Sequence, residues 1–200
     1  MAIQAGASAL GLVSAMPSGP GVIGENVIAE VAAATPPPVS TFLLTSLQGA
    51  SEIAAQQRRL RTTTIQICDR LTRGSHADLR AMLPGIGLVQ VVHVAGPESV
   101  EEAVAVAPGV DALLLDSGNP SLAVKELGGT GRRHDWAVSR QIREAASVPI
   151  FLAGGLRPES VGAAVAEVAP FGLDVCSGVR TDGRLDAHKL EAFFAAVASS

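Results

Sequence analysis

Short runs of leucine and β-branched residues alternate with alanine-rich runs of helical period along the whole chain, and this alternation leaves few folds open. The apolar runs predict strands over 9–13, 39–44, 63–67, 88–94, 112–115, 150–153 and 173–176. The intervening runs predict helices over 25–34, 49–59, 77–82, 99–106, 136–146, 158–168 and 187–198. A strand followed by a helix at this pitch forms βα units around a parallel sheet. The expected fold is therefore α/β, of the TIM (β/α)8-barrel type, in a single domain over 1–200. Aromatic residues are only 3% and tyrosine is absent, which suits buried parallel strands and alanine-faced helices. Seven strands are visible where a closed barrel of this class needs eight.

The shortfall is placed at the N-terminus. Met1 to Ala5 read as the last turn of a helix, with Gly6 as its left-handed cap and no strand before it. The first strand is expected to be missing, through a misplaced start or a genuine loss. An unpaired strand edge invites pairing between copies, so the chain is expected to be a monomer or a homodimer.

Charge and cysteine content narrow the partners. A formal charge of −4 gives no basic surface, so no nucleic-acid partner is expected. Cys68 and Cys176 lie far apart and read as reduced thiols rather than a disulfide framework. No apolar run reaches roughly 18 residues, and the start lacks a signal-peptide pattern. A soluble cytoplasmic protein without membrane contact is expected.

Two glycine turns carry the first functional expectation. Apolar strands run into Ala153-Gly154-Gly155-Leu156 and into Cys176-Ser177-Gly178-Val179, each expected to open a helix. Glycine lets a backbone approach an oxyanion closely, and free N–H groups at a helix start favour negative charge. Gly154, Gly155, Ser177 and Gly178 are thus expected to hold the phosphate of a phosphorylated small molecule, as barrels of this class often do after their last two strands. The alternative is that tight βα turns need glycine in any case.

Asp116 ends the run Ala112-Leu113-Leu114-Leu115 and stands at the mouth of a buried strand. A carboxyl held partly out of water there can donate a proton near neutrality; the plainer reading is an Asp capping its own turn. Asp174 needs a partner if it faces inward, and a structural hydrogen bond is its expected role. Gly128, Gly129, Thr130 and Gly131 form a loop leading to Asp135, the expected N-cap of the helix at Trp136. That run lacks the lysine and spacing of a P-loop and does not fit a dinucleotide fingerprint. His93 and His134 are placed near the mouth, whereas His76 and His188 read as surface residues. No cluster has metal-ligand spacing.

Leu152 to Leu156 with Pro158-Glu159-Ser160-Val161, Asp174 to Val179, Gly129-Thr130-Gly131 with Asp135-Trp136, and Gly183 and Asp186 together resemble phosphoribosylanthranilate isomerases. Ala5 to Gly11 and Ile65-Gln66 extend the resemblance more loosely. It implies a cofactor-free barrel enzyme of tryptophan biosynthesis that performs an Amadori rearrangement of N-(5-phosphoribosyl)anthranilate. Asp116 would then be the general acid that opens the ribose ring, and the two glycine turns would hold the substrate phosphate. The departures are specific. The family's general base, a cysteine ending its first strand in a Lys-Ile-Cys-Gly type motif, has no counterpart here. Pro20 or Gly21 stands where the family has an arginine for the anthranilate carboxylate, Cys68 where it has a histidine, and Arg180 where it has a glutamate. Cys68, with Arg70 nearby, is a candidate replacement base against the alternative of an inert buried thiol. Two further readings are a catalytically impaired phosphosugar-binding barrel acting as a sensor or partner protein, and an isomerase with a changed phosphosugar substrate.

Overall fold

The computed structural model describes residues 1–129 and 131–200. Seven parallel strands follow one another in sequence order: β1 (Ala9–Val13), β2 (Ser40–Thr45), β3 (Thr64–Ile67), β4 (Gly87–His93), β5 (Ala112–Asp116), β6 (Ile150–Leu152) and β7 (Gly172–Leu173). Helices α1 (Glu25–Ala34), α2 (Ala50–Leu60), α3 (His76–Met82), α4 (Glu98–Val106), α5 (Trp136–Ala145) and α6 (Val161–Val168) fall between successive strands, and α7 (Ala187–Ala198) closes the chain. A small antiparallel hairpin, β8 (Arg180–Thr181) with β9 (Arg184–Leu185), precedes α7.

The sheet is curled. In a flat sheet, β2 and β6 would lie four strand spacings apart, nearly 20 Å. Instead the rings of Phe42 on β2 and Phe151 on β6 meet edge to face with centroids 6.0 Å apart. Alternation along the strands separates two layers. Leu88, Val92, Leu113, Leu115, Ile150 and Leu152 face the helices in the main core. Val89, Val91, Ala112, Leu114 and Ala153 face inward with Cys68 in a smaller core inside the curl. Among the described residues β1 and β7 form the two edges, and neither pairs with the other.

Local signals set the helix starts. Ser75 and Asp78 form a reciprocal capping box on α3, Asp135 accepts from Ala137 N–H on α5, and Asp186 accepts from Lys189 N–H on α7. The turn over 1–6 is one helical turn, with Ala5 N–H donating to Met1 O at 3.0 Å and Gly6 ending it at φ 109°.

Most boundaries agree with the sequence expectation to within one residue, and two differ from it by three. The last strand stops at Leu173 rather than 176, because its neighbour β6 ends at Leu152 and the chain turns away at Gly154. The helix expected from 158 begins at Val161, since the Ser160 hydroxyl accepts from Arg157 N–H and closes a separate turn first. No helix among the described residues is long and apolar enough to cross a membrane.

Candidate functional site

The inward parity of the strands brings polar groups to the C-terminal mouth. Cys68 follows β3, His93 ends β4, Asp116 ends β5 and Asp174 follows β7. His93 and Asp116 are register partners on adjacent strands. Asp116 is buried at 7% exposure, and its Oδ1 accepts from Ser117 N–H at 2.7 Å. The turn-capping role and the place at the mouth are therefore both realised.

Asp116 and Asp174 line one cavity of about 40 Å³ together with Gly154, Gly155, Ser177 and Gly131. Gly154 and Gly155 have φ of 81° and 65°, a left-handed pair that only glycine adopts without strain. The two turns touch, for a Cβ on Gly178 would fall 1.9 Å from Leu156 O. The backbone N–H groups of Gly154, Gly155, Ser177 and Gly178 donate to no other described residue. Three of these donors, on Gly154, Gly155 and Ser177, border one small space, with Gly178 next along the chain, and such a group of amides can receive the oxygens of a phosphate.

The expected helix starts at these turns are corrected by the structure. α6 begins six residues after Gly155, and a single 3-10 turn over Ser177–Val179 leads into the β8–β9 hairpin. The attraction for an anion therefore comes from the local amides, because a helix dipole falls off within about one turn.

The loop after β5 crosses the mouth. Its Leu127, at 6% exposure, packs into the inner core with Cys68 and Val91. Lys125 is anchored by Asp69 at 2.5 Å, and the Lys125 carbonyl accepts from Ser18 Oγ at 2.6 Å. Gly128 and Gly129 have positive φ and lie where side chains would strike Asp116 Oδ2 and Pro20 respectively. Thr130 lies outside the described residues. A second cavity of about 190 Å³ is lined by Cys68, Asp69, Arg70, His93, Glu102 and Asn119 among others.

Electrostatics distinguish the groups. Burial and the Asp116 charge push the Asp174 carboxyl up to about 6. Asp174 makes no side-chain hydrogen bond to a described residue; the polar group it faces is Asp116. Burial, reinforced by Asp116 and Asp174, pushes the Cys68 thiol well above its ordinary range. Arg70 is engaged by Glu102 at 2.8 Å. Cys68 is thus a buried neutral thiol whose Sγ lies 3.6 Å from Gln66 O, which removes it as a replacement base. His93 Nε2 lies 3.0 Å from Cys68 O. His76, expected on the surface, is half-buried against Gln90 Oε1 at 3.0 Å, while His188 is exposed. Arg180 Nη1 donates to Gly183 O within the hairpin. Among the described residues no group of three His, Cys, Asp or Glu side chains could hold a metal.

Sequence reasoning missed Leu127 as an interior residue, although it is the one apolar residue between Glu126 and the glycines. It also left open how deeply His134 is held, which depends on Ser139 five residues away.

The family model described as N-(5'phosphoribosyl)anthranilate (PRA) isomerase matches residues 10–196. The chain is 35% identical over 181 residues to N-(5'-phosphoribosyl)anthranilate isomerase 2 of Methanosarcina mazei, covering 90% of this chain and 79% of that protein. Among solved structures, the phosphoribosyl anthranilate isomerase of Thermococcus kodakaraensis superposes with a TM-score of 0.78 at 28% identity, over 100% of this chain and 92% of that one. Another, solved with reduced 1-(o-carboxyphenylamino)-1-deoxyribulose 5-phosphate, shares the fold with a TM-score of 0.78 at 22% identity, over 100% and 91%. A sequence match that runs from β1 into α7 spans the cavity and both turns that border it, and on that match the chain belongs to the N-(5'-phosphoribosyl)anthranilate isomerase family.

Proposed function

We propose that this chain catalyses the Amadori rearrangement of N-(5-phosphoribosyl)anthranilate in cytoplasmic tryptophan biosynthesis, with Asp116 as general acid. The observation that carries the reading is the shared cavity: the Asp116 carboxyl and the backbone amides of Gly154, Gly155 and Ser177, which donate to no other described residue, line one space of about 40 Å³. The substrate's phosphate would sit on the amides of Gly154, Gly155, Ser177 and Gly178, with Gly129 and Gly131 closing over it. Asp116 would then protonate the ring oxygen of the ribose as its bond to C1 breaks, leaving an iminium between C1 and the anthranilate nitrogen. Removal of the C2 proton by a base gives the enolamine, which tautomerises to the ketone. No cofactor or metal enters these steps.

Cys68 is held neutral and does not serve as the base. The unpaired edges of β1 and β7 leave a seam that would accept one more parallel strand, and a base at that strand's end would face Asp116.

Asp116→Asn tests the assignment. It should abolish turnover of N-(5-phosphoribosyl)anthranilate while leaving the affinity for ribose 5-phosphate within about threefold. Unchanged turnover would remove Asp116 from the chemistry. A second reading, a phosphosugar-binding barrel without turnover, draws on one feature: the stretch from Ser18 to Gly21 packs against Lys125, Gly128 and Gly129 and carries no cation for a substrate carboxylate. Tight binding of ribose 5-phosphate by a wild-type chain that does not complement a tryptophan auxotroph, with or without an upstream strand, would favour it.

A further inference from the structure

His134 stands between the two halves of the site and has no step in the chemistry above. Its side chain is 9% exposed. Nε2 meets Ser139 Oγ at 2.7 Å, and Ser139 is itself fully buried on α5, so one side of the ring is anchored. Nδ1 is buried and has no hydrogen-bond partner among the described residues, an arrangement that costs stability unless it serves something else. A Cβ on Gly154 would lie 2.8 Å from His134 Nδ1 and 3.3 Å from Asp116 Oδ1. The imidazole and the carboxyl therefore both border the space that a side chain on Gly154 would need, at the point where the phosphate cradle begins.

The charges around the ring come from three sides. Asp116 faces it from β5, and Asp135 and Arg133 flank it on its own segment. Asp174 faces Asp116 across the cavity, and the Arg132 guanidinium is engaged by Glu126.

We infer that His134 is a positioning residue: its uncharged ring keeps the Gly154 turn and the Asp116 carboxyl in register, and an imidazolium there would pair with Asp116 and draw it away from the substrate. The inference rests on Asp116 being the acid of the proposed reaction. Burial lowers the proton affinity of the ring below the ordinary histidine value of 6.5, against the opposing pull of Asp116 and Asp135. The ring is therefore neutral at neutrality and charges only as pH falls below that value. Turnover should fall on the acid side with the same midpoint as the ring.

Two measurements on the full chain test this between about pH 5 and pH 8. Imidazole nitrogen NMR gives the His134 midpoint, and kcat against pH gives the acid limb. The two midpoints should agree, and the acid limb should vanish in His134→Gln. Asp116→Asn, which keeps the ring, should lower the His134 midpoint by about half a unit or more through loss of the neighbouring charge. An acid limb unchanged in His134→Gln, or a His134 midpoint unmoved in Asp116→Asn, would overturn the inference. If the wild-type chain turns over no substrate at any pH, the proposed function fails, and the NMR comparison alone decides whether the ring and the carboxyl are coupled.

Discussion

Asp174→Asn should make the protein more stable at pH 7.5 and leave it unchanged near pH 4. The carboxyl of Asp174 has its proton affinity raised from 3.8 to about 6 by burial and by Asp116. At 1.36 kcal/mol per unit, that shift alone corresponds to a ceiling of about 3 kcal/mol. The chain crowds the group on most sides, yet it keeps exposed surface at the edge of the sheet, so water screens much of the penalty and about 1 kcal/mol is expected. The sign follows from which state releases its proton first. The unfolded chain ionises Asp174 near 3.8 and the folded chain only near 6, so stability falls as pH rises between them and the penalty is constant above. An asparagine carries no such penalty. Urea denaturation of both proteins at the two pH values isolates the effect of removing Asp174 together with its repulsion of Asp116, because the carboxyls remote from the cavity are common to both. The midpoint for Asp174→Asn should move up at pH 7.5 with an unchanged slope. An equal difference at both pH values, or a less stable variant at pH 7.5, would refute the reasoning.

Gly178→Ala should weaken ribose 5-phosphate binding at least about tenfold by calorimetry, because the new methyl meets the Leu156 carbonyl at 1.9 Å and must part the two turns. Gly85→Ala is the matched control. It has φ +84° and nothing within 4 Å, so it should cost about 1 kcal/mol of stability and leave binding intact. A thiol reagent at pH 8 should spare Cys68, which is buried and held neutral, and modify Cys176, which lines the cavity. Ribose 5-phosphate should protect Cys176, and rapid native labelling of Cys68 would contradict its placement. Ser75→Ala should cost about 1 kcal/mol in thermal or urea unfolding by removing one half of the capping box on α3.

Much of this architecture was legible because it depends on local alternation. β1, α1 and α7 have the bounds their apolar periods predict, and Asp135 caps α5 as its spacing before Trp136 implies. Asp116 was found for the same reason, since a strand with Ala112 and Leu114 facing inward must turn its fifth residue inward as well. What failed depends on neighbours distant in sequence. β7 ends early because β6 leaves the ladder at Gly154, and no period within 173–176 records that. Arg70 suggested an activated Cys68 thiol, but Glu102, 32 residues away, takes the guanidinium while Asp116 and Asp174 supply opposing charge. Leu127 gives no periodic signal at all, because one residue pinned from a loop into the inner core has no pattern to extend.

Asp174 also ties the chemistry of the mouth to the unpaired seam. It follows directly on β7, one of the two edges among the described residues, and it keeps exposed surface. A parallel strand seated between β7 and β1 would cover the backbone beside it and exclude water from the cavity it shares with Asp116. Removing water there strengthens the repulsion between the two carboxyls and the burial penalty on Asp174 alike. Closing the seam would thus add ladder hydrogen bonds while pushing Asp174 further toward its protonated form. The edge contacts would offset that cost, so the completed sheet would gain less stability than its added area implies, and the difference would reside in an acidic pair poised at the mouth.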